Sequence, residues 1–368
     1  MDSYKILITS NGFYPDISPR SFRATELAKE LVRQGHQVTV VTHLRGDVEA
    51  FCQQHGITYK NLGDLTWKQF KLPTNRVAQL AARLANRLGL MLFEFPMIQL
   101  WGLTKRALKN ETSYDALISV AVPYPTHWGV ASIWSKKIAK KWIADCGDPY
   151  MGQENDTFKP AFYFGWIEKW FCKKADFITV PTEKAVLGYY PEFRSKIHII
   201  PQGFKFSDVK TFQGELPRDK VTFGYGGMFI PGKRDPSEFL NYLNSLDASI
   251  NFEFQIYTNT PQFVQPFIEA SKGRIKLMPI VNRETLLYNL SGMHFVVNFE
   301  NEGSTQTPSK LIDYAIINKP ILSVKFGQLN TQVVDDFFAG NYTYSLQTPP
   351  VDQYRIEKVT EQFLALIK

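Results

Sequence analysis

Residues 5–42 restrict the fold more than any other stretch of the chain. Lys5-Ile-Leu-Ile-Thr9 reads as a strand, and a loop from Asn11 to Pro19 leads into a helix predicted over 20–34. Phe22, Leu27, Leu31 and Val32 recur on it at roughly helical spacing. Gly35 suits its C-terminal cap, and residues 36–42, with Gln-Val-Thr-Val-Val, return as a second strand. A strand–helix–strand unit implies a right-handed crossover and so a parallel sheet. The alternation continues through strands predicted over 115–120, 141–145 and 177–180, with helices over 128–137 and 162–174 between them.

After Ile197-His-Ile-Ile-Pro-Gln-Gly203 the register restarts. A strand from Val221 enters a glycine-rich turn at Gly226-Gly227, a helix follows over 235–245, and strands over 252–257, 275–277 and 294–298 alternate with further helices. A chain of 368 residues is too long for one compact core. The expected organisation is therefore two α/β domains, 1–203 and 204–350, with a C-terminal helix over 351–368 packing back toward the first. Two such domains facing across a cleft bind ligands at the carboxyl ends of their strands.

The 44% hydrophobic and 21% charged residues suit a folded globular chain and exclude a disordered one. Cys52, Cys146 and Cys172 lie far apart without CxxC or CxxH spacing, so neither a disulfide framework nor a zinc site is indicated. No basic-then-apolar leader precedes the first strand, which gives an expectation of cytoplasmic residence. The net charge of +7 is local: residues 66–110 carry eight basic residues against one acid, Glu94. They also hold an apolar run over 88–103, interrupted by Glu94, Pro96 and Gln99 and too short to span a bilayer, which takes about 20 apolar residues. Basic charge with Leu, Phe and Trp predicts an interfacial helix between Trp67 and Lys109, on the inner face of the cell membrane. The alternative is a core helix with solvated lysines. A nucleic-acid partner is disfavoured by the interleaved leucines and the lack of a reader motif.

Residues 298–322 carry the strongest chemical signal. A buried strand runs out into a small polar loop, Gly303 to Thr307; a helix starts near Pro308 with Lys310 and Asp313, and Lys319-Pro320 leads into another strand. Such a helix N-terminus offers unpaired amides and positive dipole charge. Lys310 adds a full charge, and Asp313 can accept two hydrogen bonds from a ribose diol. Together they suit a nucleotide-diphosphate sugar; the alternative is an ordinary capped helix on a parallel sheet.

These blocks together resemble the retaining GT-B glycosyltransferases of family four. Lys5 to Thr42 resembles their opening, and Ile199-Ile-Pro-Gln-Gly203 their interdomain Ile-Pro-Asn-Gly. Gly226-Gly-Met-Phe-Ile-Pro-Gly-Lys-Arg234 is similar to their Gly-Arg-Leu-x-x-x-Lys-Gly turn. Residues 308–314 resemble the Pro-Ser-Lys-Leu-x-x-Tyr variety of their acidic helix motif. Trp142 to Tyr150 resembles the Asp-x-x-Asp-Pro-aromatic turn of bacterial polysaccharide and lipid-linked oligosaccharide transferases. The resemblance implies an α/β fold of two Rossmann-like domains in GT-B arrangement, transferring sugar with retention and without a metal or other cofactor. The donor would be a UDP- or GDP-linked sugar, and the acceptor a saccharide or polyprenyl-diphosphate-linked saccharide in cell-surface polysaccharide or lipopolysaccharide assembly. Lys233 stands at the family's phosphate-binding lysine, with Gly227 earlier in the same turn and Arg234 directly after it. Met228 replaces the usual arginine, so Lys233 acts alone or with Arg234 or Lys310. Asp313 stands at the second acidic position, whereas Thr305 takes the place of the first. The sugar contact is then altered, or passes to the loop at Ser304, Thr305, Gln306 and Thr307, or to Glu302.

In the first domain, His127 and Asp148 are the candidate catalytic residues, each following the end of a predicted strand. Either can contact the donor sugar or orient an acceptor hydroxyl; a capping histidine and an Asp-Pro turn are the structural alternatives. Asp145, Arg20 and Arg23 are candidates for the acceptor side, arginine suiting a diphosphate. Internal pairing explains them equally. No Asp-x-Asp, P-loop or Ser-His-Asp pattern is present. A GT-B sugar-nucleotide epimerase and a non-catalytic sugar-nucleotide-binding protein are the rival expectations.

Overall fold

The alternation that opens the chain builds a seven-stranded parallel sheet. The computed structural model describes residues 3–153, 159–300, 309–348 and 350–368. The chain divides into two units, Met1–Phe204 with Gln353–Lys368, and Lys205–Asp352. In unit 1 the strands are β1 (Lys5–Ser10), β2 (Gln37–Thr42), β3 (Thr58–Asn61), β4 (Tyr114–Val120), β5 (Ala139–Asp145), β6 (Phe177–Val180) and β7 (Ile197–Ile199). Their order in the sheet is β3-β2-β1-β4-β5-β6-β7, all parallel. The helices are α1 (Pro19–Arg33), α2 (Val48–Gln54), α3 (Arg76–Phe93), α4 (Gln99–Leu108), α5 (Pro125–Ile133), α6 (Phe164–Lys174) and α7 (Glu183–Leu187).

Strand side chains alternate between faces, and here both faces are covered. Ile6, Ile8, Val40, Ile118 and Ile143 pack with Leu27, Leu31, Val48 and Cys52 of α1 and α2. The C-terminal helix, Ile356–Ile367, adds Val359 and Phe363 to the same layer. Leu7, Val41, Leu117, Trp142 and Ile178 face the other layer, with Leu100, Leu103, Trp128 and Phe171 from α4, α5 and α6. Ser18 caps α1 by accepting from the Ser21 amide, with Pro19 in the first turn.

The basic apolar stretch does not form one surface helix. Helix α3 buries none of its side chains, and Val77, Leu80, Leu84 and Leu88 form an exposed stripe along it. Glu94 then turns into the left-handed region at φ 52°, and α4 buries Leu100, Leu103 and Leu108. Gly129 lets α5 lie close against α4: a Cβ there would meet Thr104 at 2.5 Å and the Trp101 carbonyl at 2.8 Å. The expectation of an interfacial surface reaching Lys109 is thus corrected. Only the part up to Phe93 is exposed apolar surface, because α4 belongs to the core. Among the described residues no helix is long and apolar enough to cross a membrane.

Unit 2 has five parallel strands, β8 (Val221–Gly226), β9 (Phe252–Tyr257), β10 (Ile275–Leu277), β11 (Phe295–Phe299) and β12 (Ile321–Val324), in the order β10-β9-β8-β11-β12. Helices α8 (Ser237–Ser245), α9 (Gln265–Ala270), α10 (Arg283–Ser291), α11 (Ser309–Ile317) and α12 (Thr331–Phe338) surround it; the C-terminal helix of unit 1 is α13. Phe254, Phe223 and Phe295 stack across β9, β8 and β11 with centroids 4.7 and 4.6 Å apart. Such cross-strand aromatic pairs add about 0.5–1.5 kcal/mol each beyond their buried area.

Candidate functional site

In each sheet, strand order reverses beside the first strand of the unit, at β1/β4 and at β8/β11. Parallel sheets bind ligands beyond the carboxyl ends of such neighbouring strands. In unit 2 the described segments at that end are the Gly226–Arg234 turn and helix α11. β8 ends at Gly226, and the turn beyond it is closed by Ile230 N donating to Arg234 O and Lys233 N to Ile230 O, both at 3.1 Å. The Gly227 amide donates to Tyr257 O at 2.9 Å. Lys233 is exposed at the tip, whereas Arg234 is half-buried against Tyr225. Burial pushes the Tyr225 phenol up to about 12, against the positive charge of Arg234. The Arg234 Nε has no hydrogen-bond partner.

Helix α11 reaches the same end of the sheet. Tyr314, buried, donates its hydroxyl to Val297 O of β11 at 3.0 Å and accepts from the Gly226 amide at 3.4 Å. One phenol thus joins α11 to the first residue of the turn. Asp313 is half-buried, and Arg283 of α10 donates Nε to its Oδ1 at 3.0 Å and also Nη2. Burial raises the Asp313 carboxyl despite that charge. Lys310 lies in the first turn of α11, with its side chain outside the described part. Glu302, Ser304, Thr305, Gln306 and Thr307 lie outside the described residues.

In unit 1 the candidates separate. His127 is fully buried, bonded to Ser119 Oγ at 2.8 Å and Cys146 Sγ at 3.4 Å, and stacked on Phe171. Burial pushes its imidazole down to about 3. It is a neutral core residue and cannot touch a ligand, which corrects its reading as catalytic. Asp145 and Arg23 are corrected in the same way. Arg23 donates Nε to Asp145 Oδ2 at 3.0 Å and Nη2 to Oδ1 at 2.8 Å, and its remaining hydrogen bonds go to the Ile200 and Pro201 carbonyls. Thr179 completes the shell on Asp145 at 2.7 Å. Burial would raise Asp145, but the charge and hydrogen bonds of Arg23 hold it below the usual carboxylate range. This group binds α1, β5 and β6 to the segment after β7. Arg20 is mostly buried, 3.8 Å from Asp145, with its guanidinium against Gly147.

Asp148 lines a pocket of about 250 Å³. Its lining includes Arg87, Leu90 and Met91 of α3, Glu94 at the end of that helix, and Val122, Tyr124 and Tyr150. Burial raises the Asp148 carboxyl, against the charge of Arg20. Sequence reasoning missed Glu94 and Tyr150 here, joined by a hydrogen bond of 2.8 Å, and Arg283 in unit 2. A lone acid in an apolar run was a usable signal for Glu94. Arg283 had none, because its partner lies thirty residues away.

A profile of the glycosyl transferase 4-like domain matches residues 21–203, nearly all of the N-terminal part of unit 1. Those residues resemble a glycosyl transferase 4-like domain. No curated protein sequence matches the chain. Solved structures with the GT-B fold superpose on its full length. A glycosyltransferase from Rickettsia africae ESF-5 gives a TM-score of 0.64 at 11% identity, covering 100% of this chain and 98% of that one. HepE from Anabaena, solved with UDP and glucose, gives 0.58 at 11%, covering 98% of each. The lipopolysaccharide outer core galactosyltransferase WaaB gives 0.55 at 10%, covering 99% of each. Unit 1 is therefore the first of two Rossmann-like domains in a GT-B fold, and the buried Arg23–Asp145 group belongs to its framework.

Proposed function

We propose that the protein transfers a glycosyl group from a UDP-linked sugar to a saccharide acceptor held at a membrane, in the assembly of a cell-surface polymer. The observation that carries this reading is the Tyr314 hydroxyl, which brings the start of the Gly226–Arg234 turn to α11 at the β8/β11 reversal. Lys233, Arg234 and the amides opening α11 would take the diphosphate, and Asp313 the ribose. HepE, bound to UDP, and WaaB, a galactosyltransferase, support the donor class and the cell-surface role. In the reaction an acceptor oxygen bonds to C1 of the sugar while the bond from C1 to the diphosphate oxygen breaks. The bonding pair leaves with that oxygen, which takes up the acceptor's proton. Retention follows if attack and departure share one face. Donor groups preorganised on a departing anion typically contribute about 3–4 kcal/mol each. The cationic side chains would supply that charge without a metal, so activity is expected to persist in EDTA.

Exposed Trp67, Phe70, Leu80 and Leu84, with Lys68, Lys71, Arg76 and Arg83 among them, support a peripheral site on an anionic cytoplasmic membrane face. Each such charge is worth about 1 kcal/mol at an anionic surface. Sedimentation with phosphatidylglycerol vesicles is expected, and not with phosphatidylcholine alone. Thermal shift with UDP and its sugars tests the donor: a hundredfold excess over Kd stabilises by about 2.7 kcal/mol. The shift is expected to shrink in Lys233→Ala, and a flat response across all nucleotide sugars would sink the reading.

A further inference from the structure

Glu168 of α6 is fully buried, and neither of its carboxyl oxygens has a hydrogen-bond partner. Among the described residues no other buried acid is left in this way. Asp145 is held by Arg23 and Thr179, Glu30 by Arg33 and Gln34, and Glu111 by Lys60 and Tyr114. A buried acid without a partner costs stability, and a neutral residue of the same shape would remove that cost.

The segment that faces this carboxyl is the loop after β5. The amides of Tyr150 and Met151 point to it, two and three residues beyond Asp148. Other contacts of that loop are already made. Tyr124 donates its hydroxyl to the Asp148 carbonyl, and the Tyr150 hydroxyl donates to Glu94 at 2.8 Å. The Tyr150 ring packs on Tyr124, Trp128 and Phe164. The backbone is equally confined: a Cβ on Gly188 would meet Pro149 at 2.4 Å, and one on Gly152 the Gly188 carbonyl at 2.1 Å. An ionised Glu168 can accept from both amides, whereas a protonated one carries a hydrogen of its own and loses part of that capacity.

We infer that Glu168 is a positioning residue for Asp148: as a carboxylate it accepts the Tyr150 and Met151 amides and fixes the Asp148 side chain at its pocket, and as an acid it releases them. The inference rests on the transferase reading above, which gives Asp148 a reaction to serve. Burial places the change of state at about 7. The groups that face Glu168 keep theirs at that pH. Burial pushes up the phenols of Tyr124, Tyr150 and Tyr190 and the thiols of Cys146 and Cys172. It pushes the imidazole of His127, bonded to Cys146, down to about 3. Glu94 and Asp148 are the other carboxyls reaching the loop, both raised by burial, with the charge of Arg20 acting on Asp148. A substitution at Glu168 alone separates it from them.

Glu168→Gln keeps the shape and removes the titration, and amide NMR of the full chain reads the loop without substrate. In wild type the Tyr150 and Met151 signals should move together between about pH 5.5 and 8.5, with a midpoint near 7, and stay still in the variant. UDP release from UDP-glucose, UDP-galactose and UDP-N-acetylglucosamine gives the second readout. For a donor that is turned over, wild-type kcat should rise about tenfold through that window, the worth of one hydrogen bond to a charged group. The donor KM should stay constant, and the variant should lack the step. Amides that stay still in wild type, or titrate equally in the variant, overturn the inference, as does one pH profile shared by both proteins. Amides that titrate only in wild type, in a protein that neither binds UDP nor releases it from any of the three donors, would sink the transferase reading and leave the proton-linked loop standing.

Discussion

An aspartate–arginine pair links distant parts of the chain in each unit, and the two differ in everything but their chemistry. In unit 1, Arg23 meets both oxygens of Asp145 and two backbone carbonyls, with side chains 2% and 0% exposed. In unit 2, Arg283 gives both its described bonds to one oxygen of Asp313, with side chains 33% and 19% exposed. A pair saturated by its own fold is framework, since no group on it remains for a ligand. A pair joined through one oxygen, and partly in water, can exchange its partner for a ribose diol.

The contrast breaks first at Asp145. Asp145→Ala leaves a buried guanidinium uncompensated and should cost about 3–5 kcal/mol in denaturant unfolding; a loss under ~1 kcal/mol would mean that the pair is not sealed. Its folded value is depressed, so this stabilisation is complete above the unfolded value near ~4 and is lost as pH falls through the folded one. Glu168 sharpens the point as a buried carboxyl of unit 1 with no arginine. The amides of Met151 and Tyr150 face it without closing a hydrogen bond, and burial pushes it up to about 7. The folded chain therefore binds the extra proton between its unfolded value and 7, and stability declines as pH rises through that window. Glu168→Gln should be more stable than wild type by about 2–3 kcal/mol at pH 8, with the gain gone near pH 4. Asp313→Ala should cost at most ~1 kcal/mol of stability, as expected for a partly exposed pair, yet weaken UDP binding about tenfold. Arg283→Ala is the smallest change, within ~0.5 kcal/mol, with UDP binding equal or tighter. Much weaker binding would make Arg283 itself a nucleotide ligand.

How much of this was legible in the sequence depends on range. The strand–helix alternation, the Gly35 cap and the restart near Val221 are local patterns, and the sheets follow them. The GT-B resemblance was carried by motifs in the right order. By contrast, an acid or histidine after a strand can turn inward or outward, and only the packing around Cys146 and Phe171 decides that His127 turns inward. Asp145 and Asp148 are three residues apart and divide in the same way, one into the core and one onto the pocket. The apolar content of residues 88–103 was equally silent about which half is buried. Gly129 gives α4 a close surface to approach, whereas α3 buries no side chain completely.

Helix α3 is fastened at one end. Tyr163 bonds the Leu92 carbonyl, Ala161 N donates to Met91 O at 3.0 Å, and Glu94 meets Tyr150, while among the described residues only the Asn75 cap holds 76–85. Its amides should therefore exchange with deuterium along a gradient, fast near Arg76 and slow near Phe93.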